Sequence, residues 1–198
     1  MKNEQLEKLK RQCVDNVEKE FPGGDKVIVF GEGNTDTDIV LVGEAPGEKE
    51  TLLARPFVGQ AGKILDEFLE ILKLNREDIY ITNIVKFRPY KINAKTGRLS
   101  NRAPNKEEVK LCRPYLIKQL EIIKPKIVVT LGNISLRAII DDDRITIGES
   151  HGTLMDMRSF FLLPLYHPAS IIYNRKLKEI YQKDLVKLKC FIKDYINV

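Results

Sequence analysis

Four short apolar runs, separated by segments with helical periodicity, constrain the fold of this chain more than any other feature. Each run has the length and composition of a buried strand. The predicted strands cover residues 38–42, 78–85, 126–131 and 160–165, with a candidate short strand at 26–30, and the predicted helices cover 6–21, 60–74, 105–123, a segment from 133 and most of 169–198. Strands that alternate with helices form a parallel sheet with helices on both faces, so we predict an α/β fold.

Length and composition favour one globular domain over residues 1–198, because the chain is 43% hydrophobic and long enough to bury a core. No apolar run approaches the roughly 20 residues of a membrane span, and the charged start is unlike a signal peptide. We therefore expect a soluble, cytoplasmic protein, and a monomer. The net charge of +5 is a mild bias toward an anionic partner and does not decide for nucleic acid. Its three cysteines have no CxxC spacing.

Two motifs place a polar side chain on a Pro-containing turn directly after a predicted strand. They are GEAPG at residues 43–47 and YHPAS at residues 166–170. The carboxyl ends of parallel strands meet at one edge of a sheet, where α/β proteins form their ligand sites. Glu44, Asn83 and His167 could therefore converge. Taken singly, each has a plainer interpretation as a turn former, a surface loop residue or a helix cap.

An aromatic residue, Phe57, lies in a loop between Pro56 and Gly59. It either fills part of the core or supplies a flat surface on which a planar ring can stack. The polar, basic stretch at 86–104 shows no periodicity and is longer than most connections, so we expect it to be mobile or functional. Asn105 and Glu108 have the spacing of a capping box at the start of the next helix.

Five motifs in order resemble those of family 4 uracil-DNA glycosylases: GEAPG at 43–47, RPFVGQAG at 55–62, ITNIVK at 81–86, LG at 131–132 and HPA at 167–169. The similarity extends from about Cys13 to the C-terminal helix. It implies a three-layer α/β/α sandwich around a four-stranded parallel sheet, and hydrolysis of the N-glycosidic bond of uracil in DNA, which leaves an abasic site for base excision repair. Uracil-containing DNA is then the expected partner.

Under this resemblance, the uracil-binding residues are Ala45, Glu50, Phe57 and Asn83. The base must leave the duplex before it can be bound. The ring of Phe57 would stack on it, and the amide of Asn83 would accept from N3–H and donate to O4, a pattern that cytosine reverses. Similarity to the family makes Glu50 the candidate wall against the methyl group of thymine.

The implied catalytic residues are Glu44 and His167. A neutral His167 would donate to O2 of uracil as negative charge develops there, and Glu44 would stabilise the cationic sugar and orient a water. Ala45 stands where some related families carry an Asp, so that position cannot activate water here. No metal or redox cofactor is needed for this hydrolysis.

Contacts to DNA are expected from residues after the His motif and after the Asn strand. Ser170, Ile171 and Ile172 are expected to contact DNA, and an apolar side chain of the segment 170–175 could fill the gap left by the flipped base. Ile171 and Ile172 could equally form the buried first turn of a helix. The candidate phosphate contacts are Lys86, Arg88, Arg175 and Lys176, with a solvated basic surface as the alternative.

The chain departs from the family pattern at the 4Fe-4S cluster. Family members typically use four cysteines, and Cys13 and Cys112 match two of them, whereas Asn16 and Phe87 occupy the other two positions. Cluster ligation normally needs four thiolates, so we predict no cluster. Cys190 matches no ligand, and we predict that it packs in the core.

Two other classes of protein share some of these features. A phosphate-binding loop at 43–49 is excluded because the spacing of G-x-x-x-x-G-K-[ST] is not met. A noncatalytic or trapping binder of uracil-containing DNA is the alternative function. The segment 86–90 lacks the histidine through which trapping relatives cross-link, and His151 precedes Gly152 in another segment, where a structural role is expected.

Overall fold

The computed structural model describes residues 1–23, 26–174 and 176–196. Its eight strands are β1 (Glu32–Gly33), β2 (Ile39–Gly43), β3 (Tyr80–Asn83), β4 (Tyr90–Ile92), β5 (Leu99–Asn101), β6 (Ile127–Leu131), β7 (Met155–Asp156) and β8 (Phe161–Leu165). Its helices are α1 (Lys2–Glu20), α2 (Glu48–Leu53), α3 (Gln60–Leu72), α4 (Lys106–Ile123), α5 (Asn133–Ile140), α6 (Ile147–Ser150), α7 (Pro168–Tyr173) and α8 (Leu177–Tyr195).

Six of the strands form one sheet in the order β1-β3-β2-β6-β8-β7. The inner four are parallel, which confirms the predicted parallel sheet. β1 and β7 pair antiparallel at the two edges and have only two residues each, too short to give a periodic pattern. The sequence therefore predicted the core of the sheet and not its edges.

Alternating strand residues enter two cores, one on each face of the sheet. Val40 and Val42 of β2 pack into a core with α1 and α4, whereas Ile39 and Leu41 pack into a second core with α3 and α8. A strand buried on both faces must be apolar at every position, which explains the continuous apolar runs. The three-layer α/β/α arrangement is confirmed.

Two local predictions, a strand at 26–30 and burial of Cys190, differ from the structure. Residues 26–30 form no strand, although the N–H of Val29 donates to the carbonyl of Lys86 over 2.7 Å. The stretch 86–104 contains the two-stranded ribbon of β4 and β5. Cys190 is exposed on α8, so its predicted burial was wrong. None of the helices in the described ranges is both long and apolar enough to cross a lipid bilayer.

Candidate active site

A cavity of about 350 Å³ opens at the carboxyl edge of the parallel sheet. Gly43 and Asn83 end neighbouring strands in register, and His167 follows β8 at the same edge. A volume of this size is at the lower end of the range for small-molecule sites. The lining consists of Ala45, Gly47, Glu48, Lys49, Glu50, Phe57, Gly59, Gln60, Ala61, Asn83, Asn101, His167 and Ala169.

The Asn83 amide and the Phe57 ring meet directly above Gly43. A Cβ at Gly43 would collide with Oδ1 of Asn83 and would lie 2.5 Å from Cζ of Phe57. Glycine at this position therefore leaves room for both side chains. A polar edge and an aromatic face, side by side, are the two surfaces needed to bind a planar heterocycle.

The amide of Asn83 is available to a ligand. The residue is 2% exposed, and its side-chain amide has no hydrogen-bond partner within the described ranges, yet the amide is not sealed from the cavity. A buried amide without partners is costly, so it favours a ligand that pairs with both its donor and its acceptor.

Phe57 is held in a strained backbone conformation by two charged residues. Its φ is +52°, a left-handed value that is rare for aromatic residues. The guanidinium of Arg76 donates to the carbonyls of Phe57 (2.6 Å) and Pro56 (3.4 Å). On the other side, the carboxylate of Glu50 accepts from the N–H groups of the two residues after Phe57, at 2.9 and 2.7 Å. The ring is thus fixed before any ligand arrives.

Glu50 also accepts from the N–H of Gly47, the N-cap residue of α2, at 3.2 Å. Three backbone donors therefore hold one carboxylate that lines the cavity. Such a carboxylate is rigid, which suits a steric wall better than a mobile acid or base would.

His167 is the N-cap of α7, and its Nδ1 accepts from the N–H of Ala169 at 3.1 Å. Burial lowers the pKa of His167 to about 4, so the imidazole is neutral at pH 7. A neutral ring that accepts at Nδ1 carries its proton on Nε2. The ring lies 6.0 Å from that of Phe57 between centroids, with 27° between the planes.

Glu44 lies beside His167 and is not part of the cavity lining itself. A Cβ on Gly132 would lie 2.5 Å from Oε1 of Glu44 and 3.3 Å from Cβ of His167. Gly132 also has φ +98°, so glycine is required there on two grounds. The N–H of Ile134, in the first turn of α5, donates to Oε1 of Glu44 at 3.4 Å. Burial raises the pKa of Glu44, and this hydrogen bond opposes the increase.

The expected DNA contacts are only partly on the surface. Lys86 as a phosphate contact was wrong, because its side chain is fully buried and its ammonium donates to Thr82 Oγ1, to Gln119 Oε1 and to the carbonyl of Asn83. Burial lowers the pKa of Lys86 to about 7. The side chain of Arg88 is 12% exposed and bonds to Asn101 and Glu48, so it braces the wall of the cavity.

The segment after His167 separates into buried and exposed parts. Ile171 packs against the second core, and Ile172 is 42% exposed. Ser170 is partly exposed in the same short helix, and Lys176 is exposed just after it. Arg175 lies outside the described residues, so its predicted phosphate contact remains untested.

Apolar side chains fill the region around Cys13 and Cys112, the two cysteines that match cluster-ligand positions of the family pattern. Cys13 and Cys112 are fully buried, and so is the ring of Phe87, which meets the ring of Phe21 edge-on at 5.3 Å. Burial raises the pKa of Cys13 to about 12 and raises that of Cys112, so both thiols are protonated. Among the residues that the structure describes, no three His, Cys, Asp or Glu side chains are grouped so that they could hold a metal ion.

Sequence reasoning missed three residues that shape the site. Arg76 bonds to the Phe57 loop from a 3₁₀ turn, Asn101 reaches the cavity from β5, and Gly132 leaves room for the Glu44 carboxylate at the start of α5. Gly132 belongs to a recognised motif, so its signal was present. Arg76 and Asn101 gave no local signal, because their contacts depend on tertiary structure. His151 has the structural role expected, with Nδ1 bonded to buried Asp184 at 2.6 Å.

Comparison with known sequences identifies relatives over most of the chain. The profile of the family described as "Uracil DNA glycosylase superfamily" matches residues 30–189. A type-4 uracil-DNA glycosylase of Thermotoga maritima is 41% identical over 84% of this chain and 83% of its own length. Those of Archaeoglobus fulgidus and Sulfurisphaera tokodaii are 40% and 37% identical, over 81% and 93% of this chain and 79% and 83% of theirs.

Proposed function

The chain belongs to the uracil-DNA glycosylase superfamily, and on this premise we propose how its side chains recognise and excise uracil. It is a hydrolase of DNA repair that removes uracil from DNA. The proposed mechanism rests on one observation. The unpaired Asn83 amide and the Phe57 ring lie side by side above Gly43, in a cavity that His167 also lines.

Recognition begins when the nucleotide leaves the duplex, because a stacked base cannot enter the cavity. Uracil then stacks on Phe57. The amide of Asn83 accepts from N3–H and donates to O4 of the base. Cytosine presents the reverse pattern at the same edge, and it would leave two unpaired polar groups in a buried site.

Exclusion of thymine falls to Glu50 and its neighbours. The carboxylate cannot swing away from a methyl group without losing the three backbone donors that hold it. Ala45, which also lines the cavity, leaves room for the base and offers no group that could activate water.

The reaction is hydrolysis of the N-glycosidic bond between C1′ of the sugar and N1 of uracil. The C1′–N1 bond breaks and its electrons go to uracil, while the oxygen of water bonds to C1′ and its released proton neutralises the base. Nε2–H of neutral His167 donates to O2 of the uracil anion as it forms. The carboxylate of Glu44 stabilises the positive charge on the sugar and orients the water.

Contacts with the rest of the DNA come from the segment after His167. Ile172 is the more exposed of the two candidate wedge residues, whereas Ile171 is held in the core. Ser170, Arg175 and Lys176 are proposed to contact the backbone, and Arg88 supports the wall of the cavity. We further propose that the protein works as a monomer and as one domain over residues 1–198.

The protein is proposed to work without an iron-sulfur cluster. Phe87 fills volume where a ligand would stand, and only two of the four thiolates that a cluster needs are present there. Iron and sulfide analysis of anaerobically purified protein tests this. Stoichiometric iron would contradict it.

A labelled oligonucleotide that contains one uracil tests the function. The expected result is strand breakage only after treatment with alkali, as an abasic product requires. Breakage without alkali would indicate an additional lyase step. An intact strand that stays bound to the protein would indicate a noncatalytic binder.

A further inference from the structure

The ribbon formed by β4 and β5 is a projecting basic arm beside the base cavity. Every residue from 91 to 101 is exposed, so the ribbon is not held by burial of its own side chains. Two-stranded ribbons are marginally stable alone, and this one is stabilised at its base and at its turn.

The base of the ribbon is fixed by two arginines. Arg102 forms a two-pronged ion pair with buried Glu108 of α4, at 2.7 Å to each oxygen, and also donates to the carbonyl of Tyr90. Arg88 donates to Oδ1 of Asn101 at 2.7 Å. Because these bonds lie on both strands, the direction of the ribbon relative to the cavity is fixed.

The turn at the tip is equally well defined. Oδ1 of Asn93 accepts from the N–H groups of Lys95 and Thr96 at 2.9 and 3.1 Å, and Gly97 takes the left-handed conformation that the turn requires (φ +67°). The tip therefore presents its cations in a set geometry.

The charge of the ribbon has one sign. Lys91, Lys95 and Arg98 are exposed, and no Asp or Glu occurs between residues 89 and 104. The nearby ion pairs use Arg88 and Arg102, and none within the described ranges includes these three cations. Three unpaired cations on a ribbon without acids match a polyanion.

The two faces of the ribbon differ. The register pairs Tyr90 with Asn101 and Ile92 with Leu99, so these four side chains share one face. Asn101 lines the base cavity, and the same face therefore continues outward from the cavity as Ile92 and Leu99, which are 64% and 46% exposed. Lys91 lies with Ser100 on the other face, so the two faces offer an apolar pair for the sugar and base edges of a groove and a cation for the phosphates that flank it.

The geometry points to the β4–β5 ribbon as a DNA-binding arm, with Ile92 and Leu99 against the groove beside the flipped nucleotide and Lys91, Lys95 and Arg98 on the phosphates. The five steps between residues from Tyr90 to Lys95 span at most about 17 Å at roughly 3.3 Å per step. That length matches roughly five base-pair steps. The inference rests on the proposed action on DNA and assigns it a contact surface.

The test compares two triple variants by their affinity for a duplex without uracil over a range of KCl concentrations. Lys91→Gln, Lys95→Gln and Arg98→Gln remove the cations of the arm. Lys73→Gln, Lys124→Gln and Lys126→Gln make the same change in net charge at the opposite, amino edge of the sheet, where all three lysines are exposed. Each lost phosphate contact makes the negative slope of log K against log salt less steep by about 0.9. Loss of all three contacts in the arm variant should therefore reduce the magnitude of the slope by up to about 2.7.

The control variant should keep the slope of the unmodified protein. Equal slopes for the two triple variants would refute the proposal that the arm binds DNA phosphates. A further variant, Ile92→Thr with Leu99→Thr, keeps residues suited to strands and should weaken binding without a change of slope, because apolar contacts release no counterions. Unchanged affinity of this double variant would refute the proposed contact of Ile92 and Leu99 with the groove.

Release of uracil by the unmodified protein is measured alongside these experiments. If it releases none, the proposed function fails whatever the slopes are. If it releases uracil and the arm variant keeps the full slope, only the inference about the arm fails.

Discussion

Replacing Arg76 with Ala should reduce uracil excision without removing any group that contacts the base. Arg76 donates to the carbonyls of Pro56 and Phe57, and so it helps to hold Phe57 at φ +52°. A left-handed conformation at a non-glycine residue costs about 1–3 kcal/mol, which the surrounding bonds must offset. Without Arg76, the loop is expected to relax and to carry the ring out of position.

The size of the effect follows from the stacking that is lost. A base stacked on an aromatic side chain contributes about 1–3 kcal/mol. At 1.4 kcal/mol for each factor of ten, kcat/KM should fall by about 5- to 150-fold. Stacking is made in both the ground state and the transition state, so most of the loss should appear in KM.

The assay is single-turnover and steady-state release of uracil, applied to a double-mutant cycle. Arg76→Ala, Phe57→Ala and the double variant are compared with the unmodified protein. If Arg76 acts through the ring, the double variant is no slower than Phe57→Ala alone. Losses that multiply in the double variant would refute this reasoning.

Arg55→Ala is the matched control for Arg76→Ala. Arg55 lies in the same loop as Phe57 and bonds to Glu32, which also forms an ion pair with Arg76. Unlike Arg76, however, Arg55 donates to no carbonyl of that loop. Its replacement should leave kcat/KM nearly unchanged. A loss equal to that of Arg76→Ala would show that general weakening of the loop, rather than placement of Phe57, is responsible.

The remaining predictions concern protonation, the floor of the cavity and the buried lysine. Because burial lowers the pKa of His167 to about 4 and raises that of Glu44, the excision rate should fall as pH decreases through the titration of Glu44, without an inflection near 6.5; titration of the assigned His167 imidazole near 6.5 by NMR would contradict this. Gly43→Ala should displace the amide and the ring by about 1 Å and reduce kcat about 10²-fold, while affinity for uracil-free duplex stays the same; full activity would show that the two groups do not meet there. Lys86→Met should lower the free energy of unfolding in urea by about 2–4 kcal/mol, because buried acceptors lose their donor, whereas an exposed phosphate contact would leave stability unchanged.

Strand periodicity predicted the fold because the parallel strands are buried on both faces. Their apolar runs are therefore continuous, and their carboxyl ends follow from the chain direction alone. Asn83 and His167 could be placed at one edge of the sheet on that basis, and the structure brings them to one cavity with Phe57. Glu44 lies at the same edge but beside the lining, at the start of α5, and strand ends alone do not resolve that difference.

The residues whose environment was wrongly predicted or missed are surrounded by segments that are distant in the sequence. Burial continues past the end of β3 through Ile84, Val85, Lys86 and Phe87, so a lysine in an apparent loop is enclosed by α4 and β3. The β4–β5 ribbon has strands of only three residues, exposed from Lys91 onward, and three residues are too few for their alternation to stand out in the sequence. Arg76 contacts residues 19 and 20 positions away, beyond the reach of any local pattern.

The most direct measurement of the central claim is an experimental structure of the protein with free uracil bound. We predict that the base lies on the Phe57 ring, with N3–H and O4 paired to the Asn83 amide and O2 within hydrogen-bond distance of Nε2 of His167. Uracil bound away from these three side chains, or held at its O4 edge by another group, would contradict the proposed mode of recognition.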